Sequence, residues 1–166
     1  MWKIGDTVVY GTSGICQIAG REKKRFGDTE REYLLLTPRS SKNSTVIFLP
    51  ADNEALLANI HAVLSARELS ELIPTLTPFP PEEWGTDARA RSKKYKAVLS
   101  SGDRLSLMRL VRTVFGNKAR TPTASEEDAA HRAAAMLYEE LSLSLSLCES
   151  EVVPLLLGEL PPIPKE

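Results

Sequence analysis

The sequence predicts an α+β protein: a small N-terminal SH3- or Tudor-like β-barrel domain followed by a compact all-helical C-terminal domain. Three observations lead there. Residues 1 to about 50 hold short runs rich in β-branched and aromatic residues, the apolar period beyond Pro50 becomes helical, and helix-capping residues precede the apolar stripes of that second part.

Four runs read as strands: Asp6-Thr7-Val8-Val9-Tyr10, Ile15-Cys16-Gln17-Ile18, Glu32-Tyr33-Leu34-Leu35-Leu36 and Ser44-Thr45-Val46-Ile47-Phe48-Leu49. Gly11-Thr12-Ser13-Gly14 makes the first connection, Phe26-Gly27-Asp28 the second and residues 38–43 the third, because glycine, proline and asparagine supply the backbone angles that turns need. Strands this short and this close in sequence bury a face only by bending into a small sheet or barrel. The expected domain limits are residues 1–55 and 56–166.

Ser65-Ala66-Arg67-Glu68 has the spacing of a capping box, in which hydroxyl and carboxylate each accept the other residue's free amide, and opens a helix ending before Pro74. Residues 75–81 carry Pro78, Pro80 and Pro81 and are expected to form a non-helical loop. Asp87 is placed to cap a basic helix through about Leu99, broken at Ser100-Ser101-Gly102, and Asp103 to cap the next, through Phe115. At about 100° per residue, Leu107, Met108, Leu110, Val111, Val114 and Phe115 share one arc of roughly 160°, with Arg109 and Arg112 outside it. Ser125 is read as the cap of a long helix whose first turn holds Glu126, Glu127 and Asp128 at the positive end of the dipole. Ala133, Met136, Leu137, Leu141 and Leu145 carry its apolar stripe. The alternation over residues 142–147 also suits a strand, but its setting favours helix. Residues 151 to about 160 are expected to form a last short helix, ended by Pro161-Pro162-Ile163-Pro164.

Composition, at 42% hydrophobic and 26% charged over 166 residues, is that of an ordinary soluble globular protein. Met1-Trp2-Lys3 leads straight into strand-like sequence, so no signal peptide is expected, and the apolar C-terminal stretch falls short of the roughly 20 unbroken residues of a membrane span. A cytoplasmic location follows as the expectation. Cys16 and Cys148 are too isolated for a disulfide framework or a zinc site and read as buried thiols; no metal or other cofactor is expected. His61 and His131 read as surface histidines. No G-x-x-x-x-G-K-S/T, H-E-x-x-H or G-x-S-x-G occurs, and the neighbouring pairs Glu82-Glu83 and Glu139-Glu140 diverge by about 100° on a helix and read as solvated faces. A protein without enzymatic activity is expected.

The charge is segregated. Residues 87–120 hold ten bases (Arg89, Arg91, Lys93, Lys94, Lys96, Arg104, Arg109, Arg112, Lys118 and Arg120) against two acids, a net of +8, whereas residues 121–166 hold nine acids against two bases. A basic block in a chain of net charge −1 is the footprint expected for a polyanion, since each phosphate contact releases condensed counterions. The bland alternative is a solvated helix face.

Lys3-Ile4-Gly5-Asp6-Thr7-Val8-Val9-Tyr10, followed by Gly14 and Glu32-Tyr33-Leu34-Leu35-Leu36, resembles the opening of the CarD family of bacterial transcription regulators, a module shared with transcription-repair coupling factors. Arg91-Ser92-Lys93-Lys94-Tyr95-Lys96-Ala97, then Leu99 and Ser101-Gly102-Asp103, is similar to the basic helix and following turn of the family's C-terminal domain. The resemblance implies that the N-terminal domain binds the β subunit of bacterial RNA polymerase and that the helical domain contacts promoter DNA at the upstream edge of the bubble, altering open-complex stability. On that basis Trp84, Arg89, Arg91, Lys93, Lys94, Lys96, Arg109 and Arg112 are the candidate DNA-binding residues, and Lys24, Arg25, Ile47 and Phe48 the candidate polymerase-binding residues. The DNA contacts are expected to be largely sequence-nonspecific phosphate contacts, and the protein a monomer without a membrane association.

Two departures stand out. Where the family often has a wedge tryptophan, this chain has Arg91; the nearest tryptophan is Trp84, which reads either as a wedge on a different backbone path or as packing between domains, while Arg91 could enter the minor groove itself. In the fourth strand Ile47-Phe48 stand where the family has an arginine, and Phe48 reads as either surface or core. Tyr95 reads as a core residue in preference to a stacking group. Two other functions fit the residues: another small-barrel nucleic-acid-binding module, RNA- or ribosome-associated, and a protein-interaction adaptor whose basic helices bind an acidic partner or the chain's own acidic segment.

Overall fold

The computed structural model describes residues 2–40 and 45–166. It divides into two units, residues 1–63 and 64–166. In the first, β1 (Thr7–Tyr10), β2 (Gly14–Phe26), β3 (Thr29–Pro38), β4 (Ile47–Pro50) and β5 (Ile60–Ala62) form one antiparallel sheet in the order β4-β3-β2-β1-β5. A single turn of helix, α1 (Glu54–Leu57), is capped by the Asn53 side chain. Val8, Cys16, Ile18, Leu34, Leu36, Leu49 and Ile60 form one buried cluster to which every strand contributes, so the sheet is bent around its own core.

The expected α+β arrangement is the observed one, with three differences in the sheet. β2 and β3 are longer than the apolar runs that announce them, because the polar stretch through Arg25 stays in the ladder up to the Gly27-Asp28 turn, where Gly27 has φ +63°. A fifth strand, three residues long, pairs Val8 with Ala62 and extends the β unit past the expected limit at residue 55. A register shift between Ile18 and Gly20 inserts one residue into β2, so the parity of the strand changes there: Ile18 faces the core, and beyond the bulge it is Arg21, Lys23 and Arg25 that lie on the core side, opposite Leu34, Glu32 and Glu30. Part of the third connection and Ser44 of the fourth expected strand lie outside the described residues; β4 is seen from Ile47.

The second unit is helical: α2 (Ala66–Leu72), α3 (Pro81–Trp84), α4 (Ala88–Ser101), α5 (Arg104–Gly116), α6 (Ala124–Ser144) and α7 (Val152–Leu156), with 3-10 turns at Ile73–Thr75 and Glu149–Glu151. The expected apolar arc of α5 is buried apart from Phe115, which is half-buried at its end, and it packs with α6 residues Ala130, Ala133, Ala134, Leu137 and Leu141 in one core. The alanines let the two helices approach closely. The capping box of Ser65 and Glu68 is formed, and Asp87 and Asp103 each accept an amide of the first turn they cap.

Other expectations need correction. α6 starts two residues earlier than Ser125 implied: the Thr123 hydroxyl accepts the Glu126 amide at 3.2 Å and the Glu126 carboxylate accepts the Thr123 amide at 2.6 Å. Pro81 opens α3 instead of ending in a loop, since a proline at the first helical position lacks only a donor with no partner in the helix. α6 stops at Ser144 because Leu145 pairs with Pro164 and the Ser146 amide donates to Ile163 O, making the alternating segment an extended strap. The last helix is correspondingly short, Val152–Leu156. Cys16 is buried, but Cys148 is exposed at the cap of the turn that follows. Replacing Thr123 with alanine is expected to lower stability by about 1 kcal/mol, the usual cost of a lost helix cap, and replacing Ser125 by far less; urea unfolding of the full chain measures both.

Candidate functional site

Helix α4 sorts its cations by face. Arg89, Lys93 and Lys96 fall at i, i+4 and i+7, within about 60° of arc, and all three are exposed without a hydrogen-bond or ion-pair partner among the described residues. Together with Asp87 and Ser92 they line a shallow surface groove. Lys94 lies off this stripe, with Nζ 4.5 Å from the centroid of the Phe79 ring.

The remaining candidates on this side are held by the fold. Arg91 is 13% exposed and its Nε lies 2.7 Å from Glu126 Oε1, an ion contact without hydrogen-bond geometry. Arg109 donates to Thr77 O at 3.0 Å and stacks its guanidinium 4.4 Å from the Phe79 centroid. Arg112 donates to Leu76 O and, at 3.1 Å, to Leu156 O. Both arginines therefore fasten the proline-rich loop onto α5, satisfying carbonyls that this irregular backbone leaves without secondary-structure partners. Trp84 is 7% exposed, stacked parallel to Phe79 at 6.4 Å and tilted against Tyr95. A groove wedge requires an exposed apolar side chain, and Trp84 is a core residue of the helical unit instead. Tyr95 is packed against that core as expected.

The segregated charge of the sequence is thus in good part internal. Glu126, 2% exposed, meets both Arg91 and Arg120 at 2.7 Å, and Glu140, 5% exposed, meets Arg104 at 2.6 Å. Glu140 is not on a solvated face, contrary to the expectation for the pair with Glu139. Carboxylates removed from water this far require such partners. Burial acts to raise the Glu126 carboxyl, but the hydrogen bonds from the Arg120 guanidinium and the Thr123 amide outweigh it and hold its pKa below the usual range.

On the β unit, Lys24 and Phe48 come together and Arg25 and Ile47 do not join them. Lys24 Nζ sits 3.8 Å from the Phe48 centroid. Phe48 in turn meets the edge of Tyr33 at 6.2 Å, and Tyr33 meets Phe26 at 6.4 Å. Phe26, Tyr33 and Phe48 form an aromatic row across β2, β3 and β4 on the outer face, with Phe26 64% and Phe48 38% exposed, so Phe48 is a surface residue. Arg25 lies on the opposite face and donates to Gly27 O at 3.2 Å, holding the turn; Ile47 packs against the core. Phe26 and Tyr33 were absent from the expected set because the bulge at Ile18/Gly20 decides which alternate residues of β2 face outward, and the local signal for it is Gly20, a glycine inside the strand.

β4 is an edge strand, and its ladder fixes which groups point outward. The Ala51 amide donates to Glu32 O at 2.9 Å, so Leu49 and Ile47, two and four residues back, bond inward to β3 while the amide and carbonyl of Phe48 point to the open edge. An edge of this kind, beside an exposed aromatic row and a lysine, can accept an added strand.

Residues 2–62 match the family model described as the CarD-like/TRCF RID domain, a family of RNA polymerase-interacting domains. The matched span takes in nearly the whole β unit, including Lys24, Phe26, Tyr33 and Phe48, and the helical unit lies beyond it.

Proposed function

We propose, from the match of residues 2–62 to the CarD-like/TRCF RID domain, that this chain is a bacterial transcription regulator, without catalysis of its own, that binds the polymerase β subunit through its β unit and promoter DNA through α4. The domain match carries the polymerase half of this reading, and the free stripe of Arg89, Lys93 and Lys96 supports the DNA half. A polymerase strand adding to the edge at Phe48 would gain main-chain hydrogen bonds from β4 and bury the aromatic row, while Lys24 attracts an acidic neighbour. The stripe contacts phosphates, which position the protein without reading sequence. Holding polymerase with one unit raises the effective concentration of the other at the promoter, so modest DNA affinity suffices to change the lifetime of the open complex. The adaptor reading, in which the basic helices bind the chain's own acidic segment, describes Arg91, Arg104 and Arg120; it leaves the α4 stripe unoccupied.

Capture of bacterial RNA polymerase by the immobilised full chain tests the polymerase half. Phe48→Ala combined with Lys24→Glu is expected to weaken capture roughly tenfold or more, the usual scale for an interface aromatic. Arg25→Glu, on the other face, is expected to leave capture unchanged. Equal capture by wild type and the double variant, with both folded by circular dichroism, would place the interface elsewhere.

A further inference from the structure

Beyond α6 the chain closes on itself. Leu145 of the strap pairs with Pro164, the Ser146 amide donates to Ile163 O at 2.8 Å, and the Lys165 amide donates to Ser144 O at 2.9 Å. Between the strap, α7 and the returning tail lies an apolar pit of about 110 Å³. Leu145 and Leu155 form its buried floor, and Leu147, Leu160, Pro162 and Ile163 its walls. Two of the walls reach solvent, Leu160 at 39% and Ile163 at 57% exposure. They stay clear of the floor because Pro161, Pro162 and Pro164 stiffen the backbone that carries them and the hydrogen bonds to the strap hold it in place. Glu151 is the one charged residue lining the pit among the described residues. One of its carboxylate oxygens accepts the Cys148 amide at 3.3 Å, and the other has no partner among the described residues. Residues 145–166 hold four acids, Glu149, Glu151, Glu159 and Glu166, against Lys165, a net of −3. Lys165, which does not line the pit, gives its Nζ to Ser142 O at 3.2 Å.

We propose that this pit anchors one leucine-, methionine- or phenylalanine-sized side chain of a partner protein, on a segment with lysine or arginine beside the anchor. The volume sets the size of the guest: apolar cavities of roughly 150 Å³ accept a benzene-sized group, whereas pockets for whole small molecules start at about 300 Å³. The charge sets the neighbours of the anchor. A carboxylate with a free oxygen, in a segment of net charge −3, attracts a cation and repels an acidic peptide, a nucleic acid or an anionic membrane. A stiff pocket that takes one apolar anchor concentrates binding energy in few residues, because little ordering remains to be done on contact. The pit shares no residue with the α4 stripe or with the β unit, so neither the polymerase reading nor the DNA reading bears on it.

Short blocked peptides, titrated into the isotope-labelled full chain and followed through its amide NMR shifts, provide the test. The probe carries one leucine between lysines; one control has alanine in place of the leucine, and the other has glutamates in place of the lysines. The probe is expected to move the amides of Leu147, Glu151, Leu155 and Ile163 and to bind roughly tenfold more tightly than either control, the scale of one buried apolar anchor. Glu151→Gln, which keeps an oxygen for the Cys148 amide, is expected to weaken the probe about threefold and to flatten its salt dependence. Leu160→Ala with Ile163→Ala should bring the probe down to the affinity of the alanine control, with circular dichroism unchanged because both side chains are exposed. Equal affinity for the probe and either control, shifts confined to other parts of the chain, or indifference to both variants would each overturn the proposal. Sedimentation showing that the wild type self-associates and the Leu160→Ala, Ile163→Ala variant does not would assign the pit to a second copy and overturn it as well.

Discussion

Glu126→Ala is expected to destabilise the helical unit by about 3 kcal/mol or more, the scale on which a buried ion pair fails when one partner is removed. The carboxylate ties three pieces of chain together: Arg91 of α4 and Arg120 of the α5–α6 connection both reach Oε1 at 2.7 Å, and the Thr123 amide bonds Oε2 at 2.6 Å. Without it Arg91, nearly out of water, has no countercharge, and α6 loses half of its capping box. Urea unfolding of the full chain measures the loss, and a value under about 1 kcal/mol would contradict this account. Glu126→Gln keeps the side chain's shape and is expected to cost less. The same carboxylate makes stability depend on pH with a defined sign. Its folded pKa lies below the ordinary 4.5, so the stabilisation is fully present above that value and is lost as pH falls through the lowered native one. The wild type should lose stability on acidification in that window more steeply than Glu126→Gln.

Reversing Arg89, Lys93 and Lys96 to glutamate together is expected to weaken duplex binding by about a hundredfold near physiological salt and to reduce the salt slope by roughly 0.9 for each phosphate no longer neutralised. The loss should be similar across unrelated sequences, because phosphate contacts carry no base information. Arg109→Ala and Arg112→Ala provide the contrast. Their guanidiniums are committed to Thr77 O, Leu76 O and Leu156 O, so each should lower the unfolding midpoint while leaving the affinity and salt slope of the folded protein for duplex unchanged. A reduced salt slope in either variant would return it to the DNA interface.

What could be read from the chain and what could not divide along the range of the interactions. Ser65, Asp87 and Asp103 bond amides three residues away, and the arc of α5 is a property of thirteen consecutive residues, so sequence alone locates them. The start of α6 was ambiguous even locally: Thr123 and Ser125 each precede an acid by three residues, and only the fold selects Thr123. Arg91 and Lys93 look equivalent in a basic run, yet they face different neighbours, and the acid that claims Arg91 lies 35 residues further along. Trp84 was legible as an aromatic but not as a buried one, because its burial depends on stacking against Phe79 beneath Arg109 and Lys94. On the β unit the resemblance of the opening residues located the span that matches the CarD-like/TRCF RID domain, while one inserted residue in β2 decided that Lys24 rather than Arg25 stands beside Phe48.

The most direct test of the central claim, that one chain links polymerase to promoter DNA through these two surfaces, is the decay of preformed promoter open complexes after a competitor challenge, with the full chain and bacterial polymerase. The wild type is expected to change the decay rate. The Arg89/Lys93/Lys96 reversal should abolish that change while still capturing polymerase, and the Phe48→Ala, Lys24→Glu variant should abolish it by failing to capture. If the wild type captures polymerase yet leaves both the decay and the rate of opening unaltered, or if the stripe reversal acts as wild type does, the claim is contradicted.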